Sequence, residues 1–186
     1  MDSTMKGLRR FNWIMGLFHF AQGSIMLYVA LTVDKFRDFP APVLTYFLTF
    51  NDKLKILQPV TETAFKLPFG IMVAGFLFLS AFFHFLIAAP KVNDVYNRNL
   101  SNLMNPFRWY EYALSSSMMI VLIAYLFGIF ELGALILIFA LNATMNLFGL
   151  MMEKYNQLAP KTDWTNFVYG SIAGLVPWVV ILLYAF

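Results

Sequence analysis

Five long apolar stretches, separated by shorter polar segments, set the pattern of hydrophobic and polar positions along this chain. A helix needs roughly 20 residues to cross the hydrocarbon core of a bilayer, and each stretch has about that length. Pro90 ends the second stretch, and Asn105 followed by Pro106 has the N-cap and first-turn chemistry of a helix start. The pattern predicts one all-α membrane domain over residues 1–186, with five transmembrane helices at about 11–33, 67–89, 109–130, 132–152 and 164–186.

The polar segment between the first two helices, residues 34–66, has a pattern of its own. Residues 43–50 are rich in β-branched and aromatic side chains, and 54–60 could form a returning strand. Asn51, Asp52 and Lys53 lie between them and have turn chemistry. Two interpretations stay open for this segment: a β-hairpin outside the membrane, or an irregular loop lying on the bilayer interface.

Composition supports a membrane protein and excludes several other classes. Hydrophobic residues make up 60% of the chain and charged residues 12%, with a mean hydropathy of +0.68. Soluble domains are about 45–50% apolar and about 25% charged. These values exclude a disordered chain and most soluble enzymes, and the net charge of +3 gives no reason to expect a nucleic-acid partner. Because the chain has no cysteine, it has no disulfide, zinc-thiolate site or cysteine nucleophile.

The distribution of lysine and arginine predicts the orientation in the membrane. Basic residues accumulate in cytoplasmic segments of membrane proteins. With the N-terminus in the cytoplasm, that side carries seven basic residues: Lys6, Arg9, Arg10, Lys91, Arg98, Lys154 and Lys161. Five others, which share one long outer loop with several acids, are Lys35, Arg37, Lys53, Lys55 and Lys66. We therefore expect a multi-pass cell-membrane protein with a cytoplasmic N-terminus.

Small and polar residues recur at helical spacing within all five predicted spans. Polar groups in a bilayer face the bundle interior or a cavity, so these stripes predict a common polar interior. The stripes are Asn12, Gly16, His19 and Gly23; Ser80 and His84; Arg108, Glu111, Tyr112, Ser115 and Met119; Asn142, Asn146, Gly149 and Glu153; and Gly170, Gly174, Pro177 and Trp178. Taken singly, most of these residues are explained by close helix packing alone.

Three ionisable residues within the spans point beyond packing. Glu111 is the one acid placed well inside a predicted span, where burial is expensive unless the carboxylate is paired. Arg108, three residues earlier on the same face, is one candidate partner, and a functional cation is the other. His19 and His84 are the only histidines. With Glu111 they permit either a proton-accepting polar cluster or a metal site of the His₂-carboxylate type.

The third span carries a specific resemblance to a known family. Residues 105–119, which read NPFRWYEYALSSSMM, resemble the third helix of heliorhodopsins. The similarity extends to residues 9–13 with His19, to His84, to Asn142 and Met145 with residues 153–155, to residues 172–178, and to the long outer loop. Heliorhodopsins are retinal-binding photoreceptors with a rhodopsin-like fold of seven helices and a cytoplasmic N-terminus. The resemblance implies a light-sensing protein that is not an enzyme.

The resemblance also implies roles for individual residues. Glu111 would be the counterion of a protonated retinal Schiff base, and Arg108 would tune that pair. His19, His84 and Asn105 would belong to an internal polar cavity that accepts the proton. The chromophore, all-trans retinal, would be enclosed by Trp109, Tyr112, Ser116, Met119, Asn142, Met145, Pro177 and Trp178. The long outer loop would form a homodimer contact, and a cytoplasmic signalling partner of unknown identity is expected.

The resemblance breaks at the lysine that binds retinal, which lies in the seventh helix of the family. The lysines here are residues 6, 35, 53, 55, 66, 91, 154 and 161, and none is mid-span. We expect the five spans to be the first five of seven, and covalent retinal binding by these 186 residues to fail. Signalling is expected rather than ion pumping, because a second mid-span carboxylate is missing. The alternatives are an intramembrane metal-binding protein or enzyme using His19, His84 and Glu111, and a structural membrane scaffold.

Overall fold

A computed structural model describes residues 3–157 and 159–186 of the chain. Helices dominate, and two strands form a small sheet between the first long helix and the next. In chain order the elements are α1 (Ser3–Thr32), α2 (Asp34–Arg37), β1 (Pro42–Asn51), β2 (Ile56–Lys66), α3 (Phe69–Ala88), α4 (Pro90–Ser101), α5 (Pro106–Leu126), α6 (Leu132–Asn156) and α7 (Thr165–Ala185).

The long helices pack as a row of neighbours. Helix α1 lies against α3, α3 against α5, α5 against α6, and α6 against α7. Within the described residues, α1, α3, α6 and α7 are long and apolar enough to cross a membrane. These features confirm the predicted helical membrane bundle. Helix α5 has 21 residues but is not among the four candidate spans. The polar and charged residues in its first half lower its mean hydropathy.

Several helices begin or end at residues other than the bounds of the predicted spans. Helix α1 begins at Ser3 rather than near residue 11, so its first turns precede the apolar stretch. Helix α5 ends at Leu126 rather than at 130, because Gly128 adopts a φ of 93° and turns the chain toward α6. Helix α6 continues to Asn156, beyond the predicted end at 152, since polar residues prolong a helix after it has left the apolar layer.

Helix α4 was not predicted at all. Pro90, interpreted as the end of the second span, also occupies the first turn of α4, where its missing N–H costs nothing. The helix is amphipathic and too short and polar to span a membrane. It buries Asn93 and Tyr96 against the bundle, and the Asn93 amide donates to the carbonyl of Ile87 at 2.9 Å.

The predicted β-hairpin is present, which rules out the irregular loop. Strands β1 and β2 are antiparallel, with Asn51 opposite Ile56 at the turn. The Asn51 side chain accepts hydrogen bonds from the backbone N–H groups of Lys53 and Leu54, at 3.0 and 3.1 Å, which is the local chemistry of a turn-forming asparagine. The second strand begins at Ile56 rather than at 54, because residues 52–55 belong to the turn.

The hairpin is attached to the end of the bundle where α5 turns into α6. The backbone N–H of Leu44 donates to the carbonyl of Phe130 at 2.8 Å, and the Tyr125 hydroxyl donates to the carbonyl of Pro42 at 3.1 Å. Val43 is fully buried in an apolar core at this end of the bundle. That core also includes Ile120, Ala124, Ile129, Leu135, Ile138 and Ile181.

Candidate functional site

A polar cavity of about 370 Å³ lies where α1, α3, α4 and α5 meet. Helical spacing on four separate elements directs polar side chains toward it. Its polar lining residues are Asn12, His19, Ser80, His84, Tyr96, Asn105, Arg108, Glu111 and Tyr112. The predicted members of the internal polar cavity, His19, His84 and Asn105, therefore do line one space, and they share it with Glu111.

The two histidines form a stacked pair across the α1–α3 contact. Their ring centroids are 5.5 Å apart and their planes differ by 16°. His84 Nδ1 lies 2.9 Å from Asn12 Oδ1, and His19 Nδ1 lies 3.2 Å from Gln22 Oε1. Each ring therefore uses one nitrogen in an amide hydrogen bond, and its other nitrogen has no hydrogen-bond partner among the described residues. A pair of this kind can accept a proton from the cavity.

Glu111 lies on the α5 wall of the cavity and is partly buried. Its carboxylate interacts with the Ser80 hydroxyl of α3 and lies in the electrostatic field of His19 and Arg108. The arrangement surrounds one carboxylate with a hydroxyl, an imidazole and a more distant guanidinium. This is the environment of an anion that can neutralise a cation placed in the cavity.

The ion pair considered for Arg108 and Glu111 does not form among the described residues. The Arg108 guanidinium lies over the rings of Trp109 and Tyr112 instead, 5.5 and 5.4 Å from their centroids. A cation over two aromatic faces is stabilised without a carboxylate contact. Arg108 therefore acts on Glu111 through space rather than by direct contact.

The start of α5 is held by two polar contacts. Asn105 is its N-cap, as predicted, and its side chain accepts from the backbone N–H of Arg108 at 3.3 Å. The backbone N–H of Asn105 donates to Glu153 Oε2 of α6 at 2.7 Å. Glu153 thus connects α6 to the mouth of the cavity, and its negative charge lies at the positive end of the α5 dipole.

Tyr96 and Gln22 are site residues that sequence reasoning missed. Tyr96 interacts through its hydroxyl with Asn12 and Asn105, and burial raises the pKa of this phenol above its ordinary value. The signal that could have found it is the amphipathic pattern of α4, in which Tyr96 shares the buried face with Asn93. Gln22 lies within the first predicted span and three residues after His19, and this helical spacing is the signal that could have placed it beside the histidine.

The metal interpretation finds no support in the geometry. Within residues 3–157 and 159–186, no group of three His, Cys, Asp or Glu side chains is placed to hold a common metal ion. In addition, His19 and His84 each direct Nδ1 at an amide oxygen. The two rings stack face to face, a geometry that does not bring two nitrogens to one ligand position.

The eight residues predicted to enclose retinal do not line one closed pocket. Tyr112 lines the polar cavity, whereas Trp109 and Met145 line a second cavity of about 190 Å³ between α5, α6 and α7. Asn142 and Pro177 are buried, and Ser116 is partly buried. Tyr112, Met119 and Trp178 are more exposed, at 39%, 40% and 47%. The eight side chains are therefore divided between two cavities, buried helix contacts and exposed positions on α5, α6 and α7.

The residues around the cavity fit the polar end of a cationic chromophore. Glu111 provides an anion without an ion-pair partner in the described part of the chain, and Tyr112 provides aromatic surface in the same cavity. None of the lysines lines this cavity. The described residues therefore match the charge of such a group but supply no amine for a covalent bond to it.

Long apolar helices with a polar cavity between them define a polytopic helical membrane protein. A family model described as Heliorhodopsin matches residues 8–186, so the chain belongs to the heliorhodopsin family. No curated protein matches the chain. Membership identifies a multi-pass membrane protein from a family of retinal-binding photoreceptors, as the resemblance implied.

Proposed function

We propose that this chain senses light through all-trans retinal bound beside Glu111, and that it serves signalling rather than ion pumping. The observation that carries the proposal is the Glu111 carboxylate in the wall of a cavity between helices, without an ion-pair partner among the described residues. A carboxylate in the apolar layer is costly unless a cation neutralises it. A chromophore that carries a positive charge when bound supplies that cation, and Arg108 adjusts the strength of the pair from beyond contact distance.

His19, His84 and Asn105 serve as the polar group that takes up a proton inside the protein. They share the cavity with Glu111, and each histidine keeps one ring nitrogen available. In this proposal the apolar part of retinal contacts residues of α5, α6 and α7: Trp109, Tyr112, Ser116, Met119, Asn142, Met145, Pro177 and Trp178. Aromatic and methionine side chains suit an apolar polyene.

Signalling is favoured over pumping by the distribution of acids. A transport path needs proton-carrying groups spaced across the membrane. Glu111 is the acid within α5, and Glu153 lies near the end of α6. The N-terminus faces the cytoplasm in this proposal, where the basic residues of α1 and α4 would meet a signalling partner.

The hairpin provides the surface for a homodimer. It exposes a run of large apolar side chains, of which Leu48 and Leu57 are 63% and 59% exposed. Such a surface is unusual on a monomer outside the bilayer. Charged substitution of Leu48 and Leu57 together is expected to convert dimers to monomers in detergent, measured by light scattering. Dimers that persist unchanged in this variant contradict a hairpin contact.

The test of the proposal uses the butylimine of all-trans retinal, which needs no lysine and becomes cationic when its imine nitrogen takes up a proton. The purified chain in nanodiscs is expected to bind it, with quenching of tryptophan fluorescence and a shift of the visible band. Glu111→Gln is expected to weaken binding about tenfold, the effect of losing about 1.4 kcal/mol. Glu62→Gln, at an exposed acid on β2, serves as the matched control and should bind as the wild type does. Equal affinity for the wild type and Glu111→Gln would refute the counterion role.

Free all-trans retinal provides a second readout. Because no lysine lines the cavity, the chain is expected to give no visible band that hydroxylamine bleaches. Such a band would show covalent attachment and contradict this expectation. Metal analysis of the purified protein tests the alternative of a metal-binding protein. Zinc bound in stoichiometric amount by the wild type and lost in a His84 variant would favour a metal site over a retinal site.

A further inference from the structure

His84 is held by a side chain whose own orientation is fixed. Asn12 is buried, at 4% exposure, on the face of α1 that meets α3. Its amide nitrogen Nδ2 donates to the backbone carbonyl of Leu8 at 3.0 Å. Its amide oxygen Oδ1 lies 2.9 Å from His84 Nδ1. Asn12 therefore connects the backbone of α1 to one chosen nitrogen of the imidazole.

The bond to Leu8 determines which end of the amide faces the histidine. A backbone carbonyl only accepts hydrogen bonds, so the atom of Asn12 next to it must be the amide nitrogen. The opposite orientation would place two oxygens against each other. The oxygen of Asn12 therefore faces His84, and an amide oxygen only accepts. It follows that His84 Nδ1 carries a hydrogen.

We propose that Asn12 is a positioning residue that fixes His84 as the Nδ1–H tautomer and leaves Nε2 as the atom that takes up a proton. The functional meaning rests on the proposed role of the cavity as a proton acceptor. On uptake, the Nε2 lone pair forms an N–H bond with the incoming proton and the ring becomes an imidazolium. On release the same bond breaks. The hydrogen bond from Nδ1–H to Asn12 persists in both states, so the ring changes charge without turning.

The surroundings of His84 differ from those of its neighbour. The other titratable and charged groups around the same cavity are His19 of α1, Tyr96 of α4, and Arg108, Glu111 and Tyr112 of α5. His19 also meets an amide oxygen, that of Gln22, at 3.2 Å. Among the described residues, however, the Gln22 amide nitrogen has no hydrogen bond that would fix its orientation. Only His84 thus has a tautomer set by the backbone.

The experiment measures the tautomer directly and needs no retinal. The full chain, labelled with ¹⁵N-histidine in nanodiscs, contains only two imidazoles, and His19→Phe assigns their signals. In the neutral ring we expect a protonated-type ¹⁵N shift for His84 Nδ1 and an unprotonated-type shift for Nε2. Asn12→Leu removes the acceptor, and the signals are expected to move toward the Nε2–H form or to a mixture. Asn12→Asp retains an acceptor and should keep Nδ1–H.

Two controls separate a positioning role from a general loss of structure. Gln22→Leu removes the matching contact of His19 and should leave the His84 signals unchanged. Asn12→Asp keeps a polar acceptor at the same place, so the proposal is testable even if Asn12→Leu folds poorly by circular dichroism. A wild-type His84 in the Nε2–H form, or the same tautomer in all Asn12 variants, would overturn the proposal. The retinal-binding results stand apart from this outcome, because the tautomer is read without chromophore.

Discussion

Asn142 of α6 donates a hydrogen bond to the hydroxyl of Ser117 of α5 at 3.0 Å, and both side chains are buried. The same amide nitrogen lies 2.8 Å from the hydroxyl of Ser116. Asn146, one turn further along α6, donates to Ser116 at 3.1 Å. Helices in a bilayer gain little from burying apolar area against each other, so polar contacts of this kind help to specify which faces meet.

Loss of the Asn142 amide should weaken the α5–α6 contact. Asn142→Ala leaves the buried Ser117 hydroxyl without its partner, and we expect the free energy of unfolding to fall by about 1–2 kcal/mol. Reversible unfolding in mixed micelles, followed by circular dichroism, measures this loss. Thr144→Ala changes an exposed position of the same helix and should have little effect. A double-mutant cycle with Ser117→Ala that shows no coupling would argue against a direct contribution of this bond.

The hairpin should depend on the Tyr125 hydroxyl for its attachment. Tyr125 is 2% exposed and donates to the carbonyl of Pro42 at the start of β1. Tyr125→Phe leaves that carbonyl unpaired, and we expect a loss of about 0.5–1.5 kcal/mol in stability. Faster amide hydrogen exchange in β1, without a change in α1, is the local signature. Tyr28→Phe, at an exposed position of α1, is the control, and equal exchange in both variants would contradict the attachment.

Local patterns predicted most of the fold. The long apolar stretches predicted the main helices, because the cost of placing a polar backbone in lipid leaves few other structures. Asn51 predicted the hairpin turn, because its side chain accepts hydrogen bonds from the backbone of the residues that follow it. Helix α4 escaped prediction because it depends on burying Asn93 and Tyr96 against helices that are distant in sequence.

For the site, the sequence predicted which helix faces carry the polar residues but not which side chains contact each other. Helical spacing placed His19, His84 and Glu111 toward a common interior, and the cavity contains all three. Spacing could not show that Asn12 reaches His84, because that contact depends on how α1 crosses α3. For Arg108, spacing suggested a contact that does not form. It lies three residues before Glu111 and was a candidate ion-pair partner, but its guanidinium lies over the rings of Trp109 and Tyr112.

Tyr96 should make stability depend on pH in the alkaline range. Burial raises the pKa of its phenol above the ordinary value of 10.0, so the folded state keeps a proton that the unfolded state releases first. The unfolded state then binds fewer protons, and stability falls as pH rises above about 10. Tyr96→Phe should flatten this dependence. The difference in tyrosinate absorbance between wild type and Tyr96→Phe should show one tyrosine that ionises above the ordinary pKa of 10.0. A difference signal that titrates at the ordinary pKa would contradict this prediction.

Gly149 should be intolerant of even one methyl group. It lies on α6 beneath the Trp109 ring of α5, and an added Cβ would overlap atoms of that ring, so the ring would have to shift. We expect Gly149→Ala to lower the free energy of unfolding by about 1–3 kcal/mol, the usual cost of overpacking. Gly7→Ala is the matched control, because nothing lies within 4 Å of a Cβ there, and alanine favours a helix by about 0.5–1 kcal/mol. Reversible unfolding in mixed micelles measures the free energy of unfolding of both variants. If Gly149→Ala stabilises the protein as Gly7→Ala does, the contact between Gly149 and Trp109 is not tight.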